Sequence, residues 1–232
     1  MSDAVHTMFS DIAPKYDLTN SVLSLGIHHL WRNATVAESG ARPGSHVLDC
    51  ATGTGDLALA FKRVVGDAGR VLGTDFNADM LSFAPAKAHA RGLDVEFEVA
   101  DAMHLPYGDA TFDVASISFG IRNVDDPRTA LWEMARVVRP GGRVVVLEFG
   151  QPRGLMGLTY RLYSRHIIPL IGGMLTGNRK AYEYLPTTAA AFPCRDEFTA
   201  LMTSTGRLTN CRYRELTGGI AFLYSGVVVT SP

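Results

Sequence analysis

Val47-Leu48-Asp49-Cys50-Ala51-Thr52-Gly53-Thr54-Gly55-Asp56 is an apolar, strand-like run that breaks into a glycine-rich turn and continues as the helical pattern Leu57–Val65. Glycine has no Cβ, so the backbone of such a turn can close on a ligand, and the helix that follows offers unpaired N–H groups to it. By itself the turn is ambiguous. Gly53, Gly55 and Ala58 also complete the G-x-G-x-x-A form of dinucleotide binders, and a plain tight strand-to-helix turn uses the same glycines.

The flanking sequence places this turn in an α/β pattern. From His46 to Phe149, β-branched apolar runs alternate with helix-like segments, as in parallel strands joined by crossover helices. Strands are predicted near His46–Cys50, Arg70–Asp75, Val95–Val99, Asp113–Ser118 and Arg143–Phe149, with helices near Leu57–Val65, Asp79–Arg91 and Pro127–Val138. Pro140-Gly141-Gly142 is expected to end the last helix and turn the chain into a strand. Residues Val5–Ser39 look helical. After Gly150 the chain becomes apolar and Gly/Pro-punctuated, a helical insertion over 150–190; Cys194–Gly206 reads as a helix, and Arg207–Arg214 and Ile220–Val229 as closing strands. The expectation is one domain over 1–232, with residues 1–40 as a helical cap.

Two carboxylates extend the glycine turn into a site. Asp75 closes the second strand 20 residues beyond Gly55, where it can accept both hydroxyls of a ribose. That suits NAD and S-adenosylmethionine equally. Asp101 follows the third strand in Val99-Ala100-Asp101-Ala102, placed to accept the adenine amino hydrogens while the backbone at Ala102 reads the ring edge. Ligands of such sheets sit outside the carboxyl ends of the strands, so the three loops converge. Asp49 is expected to hold the glycine turn or a methionine amino group, and Thr54 to offer its amide and hydroxyl to the carboxylate end. Ala51 occupies a place where many such loops have glycine, which requires a negative φ there.

Composition narrows the partners. With 22 basic and 23 acidic residues in 232, the chain has no broad surface for nucleic acid. Cys50, Cys194 and Cys211 fit neither a disulfide framework nor a zinc site, and the seven histidines lack metal-ligand spacing, so each is read as structural, with His166 a minor base candidate. A cytoplasmic location follows from the cysteines and from an N-terminal segment without signal-peptide character.

The order Val47-Leu48-Asp49 with Gly53-x-Gly55, Gly73-Thr74-Asp75-Phe76, Ala100-Asp101-Ala102, Phe112–Phe119 and Arg139-Pro140-Gly141-Gly142 resembles class I methyltransferases rather than dehydrogenases. The glycine turn also opens about 45 residues into the chain, whereas the dinucleotide fingerprint more often opens its domain. The fold implied is Rossmann-like α/β, a mostly parallel seven-stranded sheet with helices on both faces, N-terminal helices and a helical insertion after the fifth strand. S-adenosylmethionine is the implied cofactor, and Ser118, at the end of the fourth strand, joins its site. An NAD-dependent dehydrogenase is the rival reading.

Further segments resemble one methyltransferase family closely. They are Phe9-Ser10-Asp11-Ile12-Ala13-Pro14-Lys15-Tyr16-Asp17-Leu18-Thr19-Asn20, Leu25–Arg32, Ile117–Val124, Leu147–Pro152 and Asn210–Gly219. The family methylates a ring carbon of menaquinone and ubiquinone precursors. The resemblance implies a prenylated hydroquinone substrate, demethylmenaquinol in the first instance and a demethylubiquinol-type ring as the alternative. Arg122 and Asn123 are then expected to hold a developing oxyanion, and Tyr16 to orient the same oxygen or a water. The isoprenoid tail gives Leu155–Met174 a role as an apolar lid with Arg161, Arg165 and His166 toward lipid headgroups. Peripheral contact with a membrane and a homodimer complete the expectations.

Overall fold

The structure is a computed structural model and describes residues 3–229. Seven strands form one sheet: β1 (His46–Cys50), β2 (Arg70–Asp75), β3 (Glu96–Val99), β4 (Phe112–Ser118), β5 (Val138–Phe149), β6 (Leu208–Leu216) and β7 (Ala221–Val228). Their order is β3-β2-β1-β4-β5-β7-β6, with β7 antiparallel to both neighbours and every other pairing parallel. The chain runs outward one way through β1, β2 and β3, then returns to β4 and runs the other way. The switch point therefore lies between β1 and β4, directly beneath the glycine turn.

Side chains alternate across each strand, so a buried sheet feeds two cores. Val47, Val71, Val114 and Val145 pack against helices α3 (Ile27–Ser39) and α4 (Asp56–Val65) through Val36, Leu57 and Phe61. Leu48, Leu72, Ile117 and Val146 point the other way, onto helices α7 (Pro127–Val137) and α11 (Asp196–Thr203), where Met134 and Phe198 are fully buried. Pro127 begins α7, and the Asp126 carboxylate caps it by accepting from the Arg128 amide at 3.0 Å.

Three expectations need correction. The helix anticipated over Asp79–Arg91 is two pieces, α5 (Ala78–Leu81) and α6 (Ala84–Ala90), because Pro85 lacks the N–H that would bond Leu81 and its ring crowds that carbonyl. Pro140-Gly141-Gly142 does not stop a helix: α7 already ends at Val137, Val138 pairs with Phe112, and the Pro-Gly-Gly stretch lies where the β4–β5 register shifts. A Cβ on Gly142 would lie 2.5 Å from the Asp113 carbonyl oxygen, which explains glycine there. Ala51 has φ +48°, not a negative value.

Over the carboxyl edge of the sheet sits a helical cover. It comprises α1 (Asp3–Ile12), α2 (Tyr16–Leu23) and the start of α3, together with α8 (Gly154–Leu162), a π-helical turn (Tyr163–Ile167), α9 (Ile168–Thr176) and α10 (Arg179–Ala191). Ile12, Ile168, Ala181 and Tyr182 form a small core that joins the two groups, and the Tyr163 hydroxyl donates to the Leu23 carbonyl at 2.7 Å.

Candidate active site

Under the cover two cavities meet. The smaller, about 90 Å³, is lined by Asp75, Phe76, Met80, Asp101, Ala102 and Met103 on its far side. The larger, about 430 Å³, runs beneath the helices and is walled by Trp31, Phe119, Phe149, Tyr160 and Tyr184, with Asp49 and Arg122 among its polar residues. Gly53, Ala51, Ser118, Phe119 and Tyr16 line both. The glycine turn and the end of β4 thus form the partition where contents of one cavity would face the other.

The turn is held from below. Asp49 is buried between β1 and β4, where it accepts from the Thr52 hydroxyl at 2.6 Å and the Ser116 hydroxyl at 2.7 Å. Burial raises its carboxyl pKa to about 6 against those hydrogen bonds. Asp75 accepts from the Gly53 and Asn77 amides, each at 2.8 Å, one per carboxylate oxygen. Each oxygen retains a lone pair, and the group lines the small cavity, so it can still take two ribose hydroxyls. Asp101 accepts from the Met103 amide at 2.9 Å and stands on the same wall.

Two strained residues meet at this partition. Ala51 and Phe119, the residues following β1 and β4, both have positive φ, +48° and +56°. Such a conformation costs about 1–2 kcal/mol per L-residue, and strained residues of this kind cluster at ligand sites. Gly120 lets the two loops approach: a Cβ there would come within 2.4 Å of the Ala51 Cβ. Gly55 (φ +86°) lines neither cavity; a Cβ on it would sit 3.0 Å from Ala84 and 3.1 Å from the Phe97 ring, so its function is the turn and its packing.

A family model described as the ubiE/COQ5 methyltransferase family matches residues 1–228. The chain belongs to the ubiE/COQ5 methyltransferase family. Among its relatives, the ubiquinone/menaquinone biosynthesis C-methyltransferase UbiE of Bdellovibrio bacteriovorus is 57% identical over 227 residues, covering 97% of this chain and 96% of the relative. A demethylmenaquinone methyltransferase of Deinococcus radiodurans is 47% identical, with 96% and 92% covered. The fold matches solved structures too: an S-adenosylmethionine-dependent methyltransferase of Thermotoga maritima, titled a possible histamine N-methyltransferase, has a TM-score of 0.66 at 19% identity, covering 95% of this chain and 98% of the other. One from Aquifex aeolicus gives 0.64 at 21%, covering 85% and 89%. This family member is an S-adenosylmethionine-dependent methyltransferase, and the dehydrogenase reading is set aside.

The residues fit that cofactor. Two carboxylates face a small cavity with the apolar walls an adenine needs, beside a glycine edge where Gly53 has the left-handed φ of +57° that suits glycine. The Thr54 hydroxyl is otherwise engaged than expected. Its hydroxyl donates to Asp17 at 2.6 Å and accepts from Lys87 at 2.9 Å, in a network where Asp56 also pairs with Lys87 and Arg32, each at 3.0 Å. That hydroxyl fastens α2 to the turn.

The three residues expected to do chemistry are divided between the two cavities, with Tyr16 sharing the large one with Arg122 and the small one with Asn123. Arg122 lines the large cavity but is already paired: its Nη1 donates to Glu148 at 2.7 Å and to the Phe119 carbonyl at 2.6 Å, and both charged side chains are buried. Its Nε and the Glu148 Oε2 have no hydrogen-bond partner among the described residues. Neither a free oxyanion clamp nor a surface ion pair describes it. Asn123 lines the small cavity and accepts from the Tyr184 hydroxyl at 3.2 Å. Tyr16 lies at the partition, with its phenol pKa raised by burial and bonded to Asn20. His166 is exposed and lines neither cavity.

Sequence reasoning missed the aromatic wall. Phe119 and Phe149 have ring centroids 4.3 Å apart, Trp31 lies 6.0 Å from the first, and Arg122 sits 5.4 Å over Phe149. The residues of Leu25–Arg32 and Leu147–Pro152 were in view, but their convergence depends on α3 crossing above β5. The insertion divides its apolar side chains: Tyr160, Tyr163 and Ile168 face the large cavity, while Leu155, Leu162 and Met174 are exposed.

Proposed function

We propose that the chain methylates a ring carbon of reduced demethylmenaquinone, forming menaquinol, with a demethylubiquinol-type ring as the alternative acceptor. The observation that carries the reading is the large aromatic-walled cavity opening onto the glycine turn across Ser118 and Phe119. Two relatives named demethylmenaquinone methyltransferase, from Deinococcus radiodurans and Thermus thermophilus, favour the naphthoquinol, while the Bdellovibrio name covers both rings. Residues 1–232 are read as one methyltransferase unit, with 1–40 and 150–190 as its substrate-side cover.

The bound cofactor supplies an electrophilic methyl group, so the acceptor carbon must be electron-rich, which a quinol ring is and a quinone ring is not. In this reading Asp75 and Asp101 orient the nucleoside, and Phe119, Phe149 and Trp31 stack the acceptor ring against the partition. The Arg122 charge favours the phenolate form of the ring; Glu148 fixes its guanidinium and tempers its field. Tyr16 orients the ring oxygen from the partition, and Asn123, held by Tyr184, positions the nucleoside end.

A prenyl tail must leave the cavity past the cover. No helix among the described residues is long and apolar enough to cross a membrane. Between Gly150 and Glu183 the chain has Arg153, Arg161, Arg165, Arg179 and Lys180 and not one acidic residue, beside exposed Leu155, Leu158, Leu162 and Leu170. This composition suits peripheral contact with an anionic lipid surface, where apolar side chains enter and cations meet headgroups. The deciding experiment is methyl transfer from labelled S-adenosylmethionine to a panel of reduced demethylquinones of both ring types. Turnover of the naphthoquinol above the benzoquinol supports the reading; the reverse order selects the alternative, and no turnover of either overturns it.

A further inference from the structure

Methyl transfer to an aromatic carbon leaves a proton to be removed, and the large cavity contains few groups able to take it. Its arginines, Arg32 and Arg122, are permanent cations. Asp56 is tied to Arg32, Lys87 and Arg91, and Asp49, 1% exposed between β1 and β4, is occupied in holding the glycine turn through Thr52 and Ser116. The tyrosines Tyr16, Tyr160, Tyr163, Tyr182 and Tyr184 all have phenol pKa values raised by burial, and a neutral phenol is a poor base.

That leaves His28, near the N-terminus of α3, buried and on the cavity wall. Its hydrogen bonds fix its tautomer. The Ser24 hydroxyl gives its hydrogen to the Asn20 carbonyl at 2.7 Å, so at the 2.5 Å contact with His28 Nδ1 the serine oxygen is the acceptor and Nδ1 the donor. In the neutral ring the free lone pair is then on Nε2. This atom makes no hydrogen bond to the described residues, and the ring that carries it lines the large cavity.

We infer that His28 Nε2 is the base that removes the ring proton after methyl transfer. The inference rests on the acceptor being an aromatic carbon, as proposed above. As the donor's sulfur–methyl bond breaks, a ring electron pair forms the new carbon–carbon bond, and the acceptor carbon carries both methyl and hydrogen. Nε2 takes that hydrogen as a proton, and the C–H electron pair restores the aromatic ring. The imidazolium, disfavoured by burial and by Arg32 and His29, passes the proton to water and is ready again. Burial with these neighbours lowers the His28 pKa to about 4, so the ring is unprotonated at neutral pH. A base this weak still suffices, because a ring carbon that regains aromaticity on losing its proton is strongly acidic.

The test uses demethylmenaquinol carrying deuterium at the acceptor carbon, with the full-length wild type, His28→Asn and His28→Ala. Asparagine keeps an N–H toward Ser24 and deletes the Nε2 lone pair. In a single turnover, S-adenosylhomocysteine and aromatic product should appear together in the wild type. In His28→Asn the first should appear at a near-normal rate, while the second lags by about 10²-fold, the scale of general-base catalysis, and is slowed further by deuterium. Imidazole added to His28→Ala should shorten the lag. Coincident phases with no isotope effect in His28→Asn, or no rescue of a folded His28→Ala that binds S-adenosylhomocysteine normally, overturn the assignment. Failure of the wild type to methylate the quinol would instead overturn the substrate reading.

Discussion

The sheet edge and the helical cover make their halves of the site in different ways. At the edge, Asp49 and Asp75 are fixed by hydrogen bonds to neighbouring hydroxyls and backbone amides, and the strained Ala51 and Phe119 stand on paired strands. In the cover, the cavity walls are aromatic and aliphatic side chains from α1–α3 and α8–α10, tied at points by polar contacts such as Tyr163 to Leu23, Asn178 to Asp11, Asp17 to Thr54 and Tyr184 to Asn123. A rigid edge suits a cofactor of one shape, and an adaptable apolar cover suits a ring with a long tail. Arg122 stands on the edge and faces the cover across the large cavity, and the largest effects are expected there.

Arg122→Ala should lower turnover by about 10²–10³, the scale on which one preorganised electrostatic contribution acts, here the buried cation that favours the phenolate. Because the substitution leaves Glu148 charged and buried without its partner, it should also cost on the order of 3–5 kcal/mol in stability. Arg122→Met with Glu148→Gln should restore much of the stability in urea titrations and none of the turnover. Recovery of both would make the pair purely structural.

Asp75→Ala should weaken S-adenosylmethionine by one to two orders of magnitude, from about 1.5–3 kcal/mol for a hydrogen bond to a charged group. Calorimetry on the folded variant checks this, and an unchanged affinity would take Asp75 out of the cofactor half. Quinol KM should move little, since Asp75 lines the small cavity and not the large one.

The smallest expected effect is a pH dependence that separates the halves by sign. His28 in the cover has its pKa lowered from 6.5 to about 4, so the unfolded chain binds a proton there that the folded chain does not, and stability falls as pH drops through that window. Asp49 at the edge is raised from 3.8 to about 6, so the folded chain retains the extra proton, and its contribution grows as pH falls. The two slopes oppose each other between about pH 4 and 6. His28→Asn should therefore gain stability relative to the wild type between about pH 7 and 4.5 in urea titrations. A pH-independent difference would contradict a neutral, buried His28.

The edge was legible and the cover was not, for reasons of range. β1, β2 and β4 announce themselves by runs such as Val47-Leu48 and Val114-Ala115-Ser116-Ile117, and Asp75 and Asp101 are marked by where those runs stop. Pro85 carries the signal for the helix break, but the apolar periodicity on either side of it runs on as if through one helix. The Arg122–Glu148 pair spans 26 residues and the Thr54–Asp17 bond 37, and local pattern contains neither. The positive φ of Ala51 is equally invisible, because it is imposed by the packing of two strand-end loops. Nor does the sequence say which nitrogen of His28 is free; that follows from what the Ser24 hydroxyl does with its hydrogen.

The central claim is that an electron-rich ring is held in the aromatic cavity against the glycine turn. Its most direct test is methyl transfer to one demethylmenaquinone prepared in reduced and in oxidised form, followed anaerobically by label incorporation. Rapid labelling of the quinol and almost none of the quinone is the result predicted here; equal labelling of the two would contradict it.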